Sequence, residues 1–400
     1  MNRMYNYYRP TRAEISLDAL RSNIGTFRSS VPDGMKLLAS VKANAYGHGL
    51  VQISQEAEAC GVDYLGVAFL DEAVQIRRSG VMMPILVLGY VPPNGLEIAR
   101  SLDITIALFR DDVLETARSL PEDSSKKLKV HIKLDTGMGR LGKLADGSAD
   151  AMRFIEAALR VPQLQVEGLF THFAKSDETD KYYTKLQYER FAAVVHEVRS
   201  RSLPIEIIHS ANTAAGIDTP ELGGDMLRLG IGMYGLYPSH EVDHSKVRLK
   251  PVLSLKTEVV MVKELQESWG ISYGTRYFAE AGERIGTIPI GYADGFSRLL
   301  TGKAHVLLRG QRVPVLGTIC MDQCMISLGA AEASGEGPVA TGEEAVLIGS
   351  QLGAEITAEE VADQLGTINY ELICMLAARV PRVYMRDGKV VAVSNALDVQ

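Results

Sequence analysis

From about Met35 to Gly230, short apolar runs alternate with segments whose apolar residues recur every three or four positions. The runs predict strands at 36–41, 63–69, 84–88, 103–108, 128–134, 165–172, 205–209 and 226–230, of which 103–108 and 226–230 are the weakest. Between them Leu50–Cys60, Asp71–Arg78, Ala149–Arg160 and Lys181–Arg199 read as amphipathic helices. Such alternation implies right-handed βαβ units and a parallel sheet. Eight strands separated by helices fit a (β/α)8 barrel, with chemistry expected at the strand C-termini. After Tyr237-Pro-Ser-His240 the period changes to β-branched-rich strands at 254–262, 284–290, 305–308, 313–316 and 345–348, separated by Gly-containing turns. One helix around Thr357–Gln364 opens on the capping box Thr357-Ala-Glu-Glu360. The division expected is a barrel domain over 1–245 and a mostly β C-terminal domain over 246–400.

Composition narrows the class. The 400 residues, 46% of them hydrophobic, suffice for a large core and two domains. The net charge of −7, with no basic block or basic-aromatic stripe, argues against a nucleic-acid partner. Four cysteines, Cys60, Cys320, Cys324 and Cys374, form neither a disulfide framework nor a paired metal-ligand spacing, so no metal is expected. The longest apolar stretch, Val81 to Val91, is too short to span a bilayer and carries Pro84. The N-terminus lacks the apolar core of a signal peptide, and the expected location is the cytoplasm, away from membranes.

Candidate chemistry begins at Lys42, which ends the run Lys36-Leu-Leu-Ala-Ser-Val41 and opens the small-residue loop Ala43-Asn-Ala-Tyr-Gly-His-Gly49. An ammonium at the end of a buried strand is costly, and a desolvated lysine becomes a nucleophile able to attach to a carbonyl cofactor; a surface loop lysine is the plainer reading. The fifth strand, Val130-His-Ile-Lys-Leu-Asp-Thr-Gly137, sends His131, Lys133 and Asp135 to one face, which should point into the barrel. Arg140, just beyond, suits a carboxylate or a surface ion pair. Arg228 lies inside the apolar strand Met226-Leu-Arg-Leu and needs an acceptor. Gly137-Met-Gly139-Arg-Leu-Gly142 and Gly230-Ile-Gly232-Met-Tyr-Gly235 both spell Gly-x-Gly-x-x-Gly, but neither sits between a first strand and a first helix, as a dinucleotide site requires. The backbone N–H groups at Gly230 and Ile231, after the eighth strand, instead suit a phosphate. Asn212 and Thr213 stand where a helix N-terminus could join them, or simply cap that helix.

The segment Val41-Lys-Ala-Asn-Ala-Tyr-Gly-His-Gly49 resembles the pyridoxal-phosphate-binding signature of the alanine racemases, and the likeness returns along nearly the whole chain. It is carried by Leu134-Asp-Thr-Gly-Met-Gly-Arg-Leu-Gly142, Thr171-His172-Phe-Ala174, Ile271-Ser-Tyr-Gly-Thr275, Ile288-Pro-Ile-Gly-Tyr-Ala-Asp-Gly295, Gly317-Thr-Ile-Cys-Met-Asp-Gln323 and Ile368-Asn-Tyr-Glu371. The resemblance implies a homodimeric pyridoxal 5'-phosphate enzyme interconverting L- and D-alanine for bacterial peptidoglycan. It places Lys42 on the cofactor and as one base, with Tyr273 of a partner subunit as the second. By the same likeness Arg228 faces the pyridine nitrogen, His172 the ring, and Tyr46 and Tyr370 the phosphate. Arg140 is expected to hold the substrate carboxylate, with Tyr292, Met321 and Asp322 at the entry and pocket, and Lys133 to be carbamylated. Rival readings are a broad-specificity racemase, an amino-acid decarboxylase on the same architecture and a non-catalytic cofactor-binding protein. Arg228, where decarboxylases carry an acid, speaks against the second. The long β domain bearing Tyr273 speaks against the third, whose members consist of a barrel alone.

Overall fold

The computed structural model describes residues 7–122, 126–335 and 337–397. The chain forms two compact units. One comprises Leu20–Ala45 and Leu50–Lys250; the other takes the chain through Ala19, Tyr46–Gly49 and the chain from Pro251 on.

The first unit is a parallel barrel. Among the described residues its strands run in the order Met226–Leu229, Lys36–Ser40, Tyr64–Val67, Ile85–Val87, Ile104–Leu108, Leu128–Asp135, Leu164–Phe170 and Ile207–His209. Asp225 and Arg228 N–H groups donate to the carbonyls of Ile208 and Ala211, at 2.6 and 3.1 Å, which draws the last strand toward the first. All eight expected strands are present, the two weak ones included. The runs could be short and nearly continuous because both of their faces are covered: in Leu128–Asp135, Val130, Ile132 and Leu134 are as buried as His131 and Lys133. Helices Leu50–Ala59, Leu70–Arg78, Asp150–Leu159 and Tyr182–Ser200 lie between strands in sequence where the periodicity puts them.

The second unit is built mainly from antiparallel strands. Arg12–Ser16 lies between Leu253–Glu258, antiparallel, and Arg382–Arg386, parallel. A continuous division at residue 245 groups this strand with the barrel, but its alternating burial, with Ala13 and Ile15 inside, serves the β-rich sheet. The single strand expected over 254–262 is two, Leu253–Glu258 and Met261–Glu264. At Val259 and Val260 the backbone changes partner, donating first to Glu343 O and then to Thr287 O, so one apolar run serves two ladders. Helix Ala358–Leu365 starts as expected, with the Thr357 hydroxyl oxygen accepting the Glu360 N–H at 3.1 Å. Among the described residues no helix is long and apolar enough to cross a membrane.

Candidate active site

Lys42 follows the first barrel strand, and the backbone then turns the wrong way for L-residues. Ala43, Asn44, Ala45 and Tyr46 all have φ between 52 and 54°, and Gly47 follows at 83°. A left-handed turn costs roughly 1–2 kcal/mol for each non-glycine residue, so its surroundings must impose it. Several bonds do. Ala45 N–H donates to Val41 O at 2.8 Å, Leu50 N–H to Asn44 Oδ1 at 2.8 Å, and Ala43 N–H to Glu72 Oε1 at 2.6 Å. In the β-rich unit Arg382 Nε donates to Gly47 O at 3.0 Å and the Tyr384 hydroxyl to His48 O at 3.0 Å. A Cβ on Gly47 would stand 2.2 Å from Ile373 O, so no larger residue fits there.

The barrel gathers cations. Arg228 is buried, and among the described residues its guanidinium donates to neutral acceptors: His209 Nδ1 (2.9 Å), Thr171 O (2.7 Å), Ser210 O (2.8 Å) and His172 Nδ1 (3.2 Å). Burial pushes it down to about 9, still protonated at neutral pH. Because arginine only donates, both imidazoles accept at Nδ1 and carry their proton on Nε2. His209 Nε2 then donates to His131 Nδ1 at 2.9 Å. Phe170 stacks on His209 at 4.8 Å, with Lys133 Nζ and the Arg228 guanidinium 5.4 and 5.5 Å from its ring centre. His172 is held well below its usual pKa, first by burial and then by Arg228, Arg140, Lys133 and Lys42.

Lys133 is nearly buried, 5% exposed, and its ammonium donates to Leu88 O at 3.3 Å. Burial lowers it to about 8, helped by the positive charges of Arg140, Arg228 and Lys42. Arg140 itself is exposed, on a loop fixed by Asp135, whose Oδ1 accepts the Gly137 and Gly139 N–H groups at 2.9 and 3.1 Å. Lys42, Lys133, Arg140, His172 and Arg228 thus share one electrostatic neighbourhood with an excess of positive charge.

After the seventh strand Asn212 caps Thr213–Asp218, its Oδ1 accepting the Ala215 N–H at 3.0 Å. The plain capping role therefore occupies that oxygen. Thr213 Oγ1 accepts the Gly230 N–H at 2.9 Å, so this N–H is spent within the chain while the Thr213 hydroxyl keeps its own proton to donate. Ile231–Tyr234 forms a tight turn directly after Gly230, not the long helix a dinucleotide site needs.

The remaining residues lie in the β-rich unit. Tyr46 and Tyr370 rings stand 6.2 Å apart. Tyr273 begins a short turn after Ser272, with its carbonyl accepting the Thr318 hydroxyl at 2.8 Å, and its side chain is 74% exposed. Tyr292 and Ala293 N–H groups donate to Cys320 O and Met321 O, both at 3.0 Å. Gly291 permits this approach, since a Cβ there would sit 2.2 Å from Cys320 O. Asp322 accepts from Arg379 at 2.7 Å, and Arg379 and Arg9 both bond the buried carboxylate of Asp294. Tyr273, Tyr292 and Met321 are thus tied through backbone groups with their side chains exposed, whereas Asp322 is held through its carboxylate by Arg379. Sequence reasoning missed Glu72, the His131–His209 pairing and Asp294. An acidic first helical turn and a histidine ending an apolar strand were the signals available.

The family model for the N-terminal domain of alanine racemase matches residues 15–238, and that for the C-terminal domain residues 252–384. A Clostridium tetani alanine racemase is 43% identical over 98% of this chain and all of its own length. One from Halalkalibacterium halodurans is 44% identical over the same shares. Among solved structures, alanine racemase of Clostridium difficile superposes with a TM-score of 0.91 at 36% identity, covering 98% of this chain and 100% of its own. That of Bacillus anthracis with bound L-Ala-P gives 0.90 at 39%, covering 98% and 99%. A barrel with a cation-lined centre, joined in one chain to a β-rich unit, and these likenesses define the class as a racemase, an isomerase. The chain belongs to the alanine racemase family.

Proposed function

We propose that the protein interconverts L- and D-alanine with pyridoxal 5'-phosphate, in the cytoplasm of a bacterium that uses D-alanine for peptidoglycan. The observation that carries the reading is Lys42, on an imposed left-handed turn, sharing its electrostatic neighbourhood with Arg228, Arg140, Lys133 and His172.

The residues present fit the cofactor. Surplus positive charge suits an anionic cofactor and a substrate carboxylate. The Thr213 hydroxyl and the turn after Gly230 offer donors of the kind a phosphate takes, with Ile231 and Asn212 as further members of that set; the family likeness adds Tyr46 and Tyr370. Lys42 Nζ would hold it through its aldehyde carbon. When bound, the cofactor supplies an electron sink that acidifies the substrate's α-hydrogen.

Arg228 meets such a group as a donor that stays protonated at neutral pH. It cannot hand a proton fully to a pyridine nitrogen, which tempers the sink and favours returning the proton to the α-carbon. Arg140 orients the substrate carboxylate with its fork. Racemisation needs a proton carrier on each face of the α-carbon, and Lys42 serves the D-alanine side. Tyr273 of a second copy serves the L side, with His172 and Arg228 as the relay behind it. Exposure of Tyr273, Tyr292 and Met321 in the single chain supports completion of each site by a second subunit. Met321, Asp322 and Tyr292 then narrow the entry toward a small side chain.

Chiral chromatography of alanine, serine, lysine and arginine incubated with the protein tests the reading. Alanine should equilibrate fastest, by at least about tenfold, the discrimination a small pocket provides against larger side chains. Faster turnover of lysine or arginine would replace it with the broad-specificity reading.

A further inference from the structure

Glu72 sits in the first turn of helix Leu70–Arg78, and both of its oxygens are committed to backbone. Oε2 accepts the N–H groups of Ala68 and Phe69, at 2.8 and 3.2 Å, which starts its own helix. Oε1 reaches the neighbouring strand-end loop and accepts the N–H of Ala43, the residue after Lys42, at 2.6 Å. Parallel pairing of Lys36–Ser40 with Tyr64–Val67 brings these two loops side by side. One carboxylate therefore joins the loop that carries Lys42 to the loop after the second strand.

The bond falls on the first residue of the left-handed turn. Ala43 has φ 53° and no glycine to ease it, and its amide is exposed, so water competes for the same donor. At the other end of the turn, Asn44 Oδ1 holds Leu50 N–H at 2.8 Å. An ionised acceptor binds an amide more strongly than water or a neutral carbonyl does.

We propose that Glu72 is a positioning residue for Lys42: its carboxylate holds the left-handed turn and so sets the direction in which Nζ is presented. The inference rests on Lys42 being the reactive lysine of the proposed function. An amide at position 72 keeps one accepting oxygen but replaces the other with a donor, so Glu72→Gln cannot serve both loops. Glu58 gives a control, because it accepts two N–H groups, of Met82 and Met83, both at 3.1 Å, before the third barrel strand and away from Lys42.

The experiment compares the unmodified protein, Glu72→Gln, Glu72→Asp and Glu58→Gln. Hydrogen–deuterium exchange over residues 41–50, in protein stripped of cofactor, should speed up about tenfold in Glu72→Gln, as expected for a lost charge-assisted bond, and stay unchanged in Glu58→Gln. In cofactor-loaded protein, the pH midpoint of the visible absorbance band should move in Glu72→Gln and stay in place in Glu58→Gln. The kcat for alanine should fall about tenfold with KM changed less, because misdirecting Nζ harms proton transfer more than carboxylate binding. Glu72→Asp should recover part of each effect, and it serves in place of Glu72→Gln if that variant does not fold. Unchanged exchange over 41–50 overturns the clamp. Faster exchange with an unmoved midpoint and kcat within about twofold overturns its role toward Lys42. An unmodified protein without any such absorbance band would sink the cofactor reading itself, while the exchange arm would still decide whether Glu72 holds the turn.

Discussion

Lys133 shows how a single buried cation can change sign of effect with its chemistry. As an amine it is lowered from its usual 10.5 to about 8, by burial first and by Arg140, Arg228 and Lys42 after it. Between those two values the unfolded chain holds the extra proton, so stability rises with pH across that window, and the full penalty, about 3 kcal/mol, applies below it. The same lowered value leaves more neutral amine near pH 8 to react with carbon dioxide. The new N–C bond then releases one proton and leaves an anion facing three cations. Urea unfolding at pH 7 should accordingly find the unmodified protein stabilised by bicarbonate, with a matching mass increase, and Lys133→Met indifferent to it. Equal stability with and without bicarbonate, and an unmodified mass, would show that the amine is retained.

At the scale of elements, the loop Lys42–Gly49 owes its shape to what surrounds it. Gly47 at φ 83° lies against Ile373 O, whereas Gly61 at φ 70° has nothing within 4 Å of where a Cβ would be. Gly47→Ala should therefore cost roughly 2–4 kcal/mol, for strain and clash together, against about 1 kcal/mol for Gly61→Ala, which carries the strain alone. Equal losses in urea unfolding would mean that the contact with Ile373 relaxes freely. This loop also marks the limit of what the sequence discloses. The eight barrel strands were legible because each is a short apolar run between turn signals, and Lys42, Lys133, Arg140 and Arg228 because charges stand out at the ends or inside such runs. The reversed turn was not legible, since Ala-Asn-Ala-Tyr contains no glycine to announce it. Nor was the pairing of Arg12–Ser16 with strands more than two hundred residues away, because alternation reveals a buried face but not its partner. Asn212 read equally well as cap or ligand: its Oδ1 caps the helix, which leaves a ligand to its side-chain amide N–H.

For the whole molecule, racemisation as proposed requires two proton carriers on opposite faces of one carbon, Lys42 from one chain and Tyr273 from a second. Lys42→Ala and Tyr273→Phe proteins should each be nearly inactive, since either loss breaks the two-sided exchange. A dimer of one of each differs. One of its sites collects both substitutions, while the other combines an intact Lys42 with an intact Tyr273. The most direct measurement mixes the two inactive proteins under conditions where mass spectrometry shows subunit exchange, and follows alanine racemisation. Activity should return, up to about half that of the unmodified dimer for each mixed dimer, by the symmetry of a two-fold assembly. Demonstrated exchange without any return of activity would contradict the account, because the site would then be built within one chain.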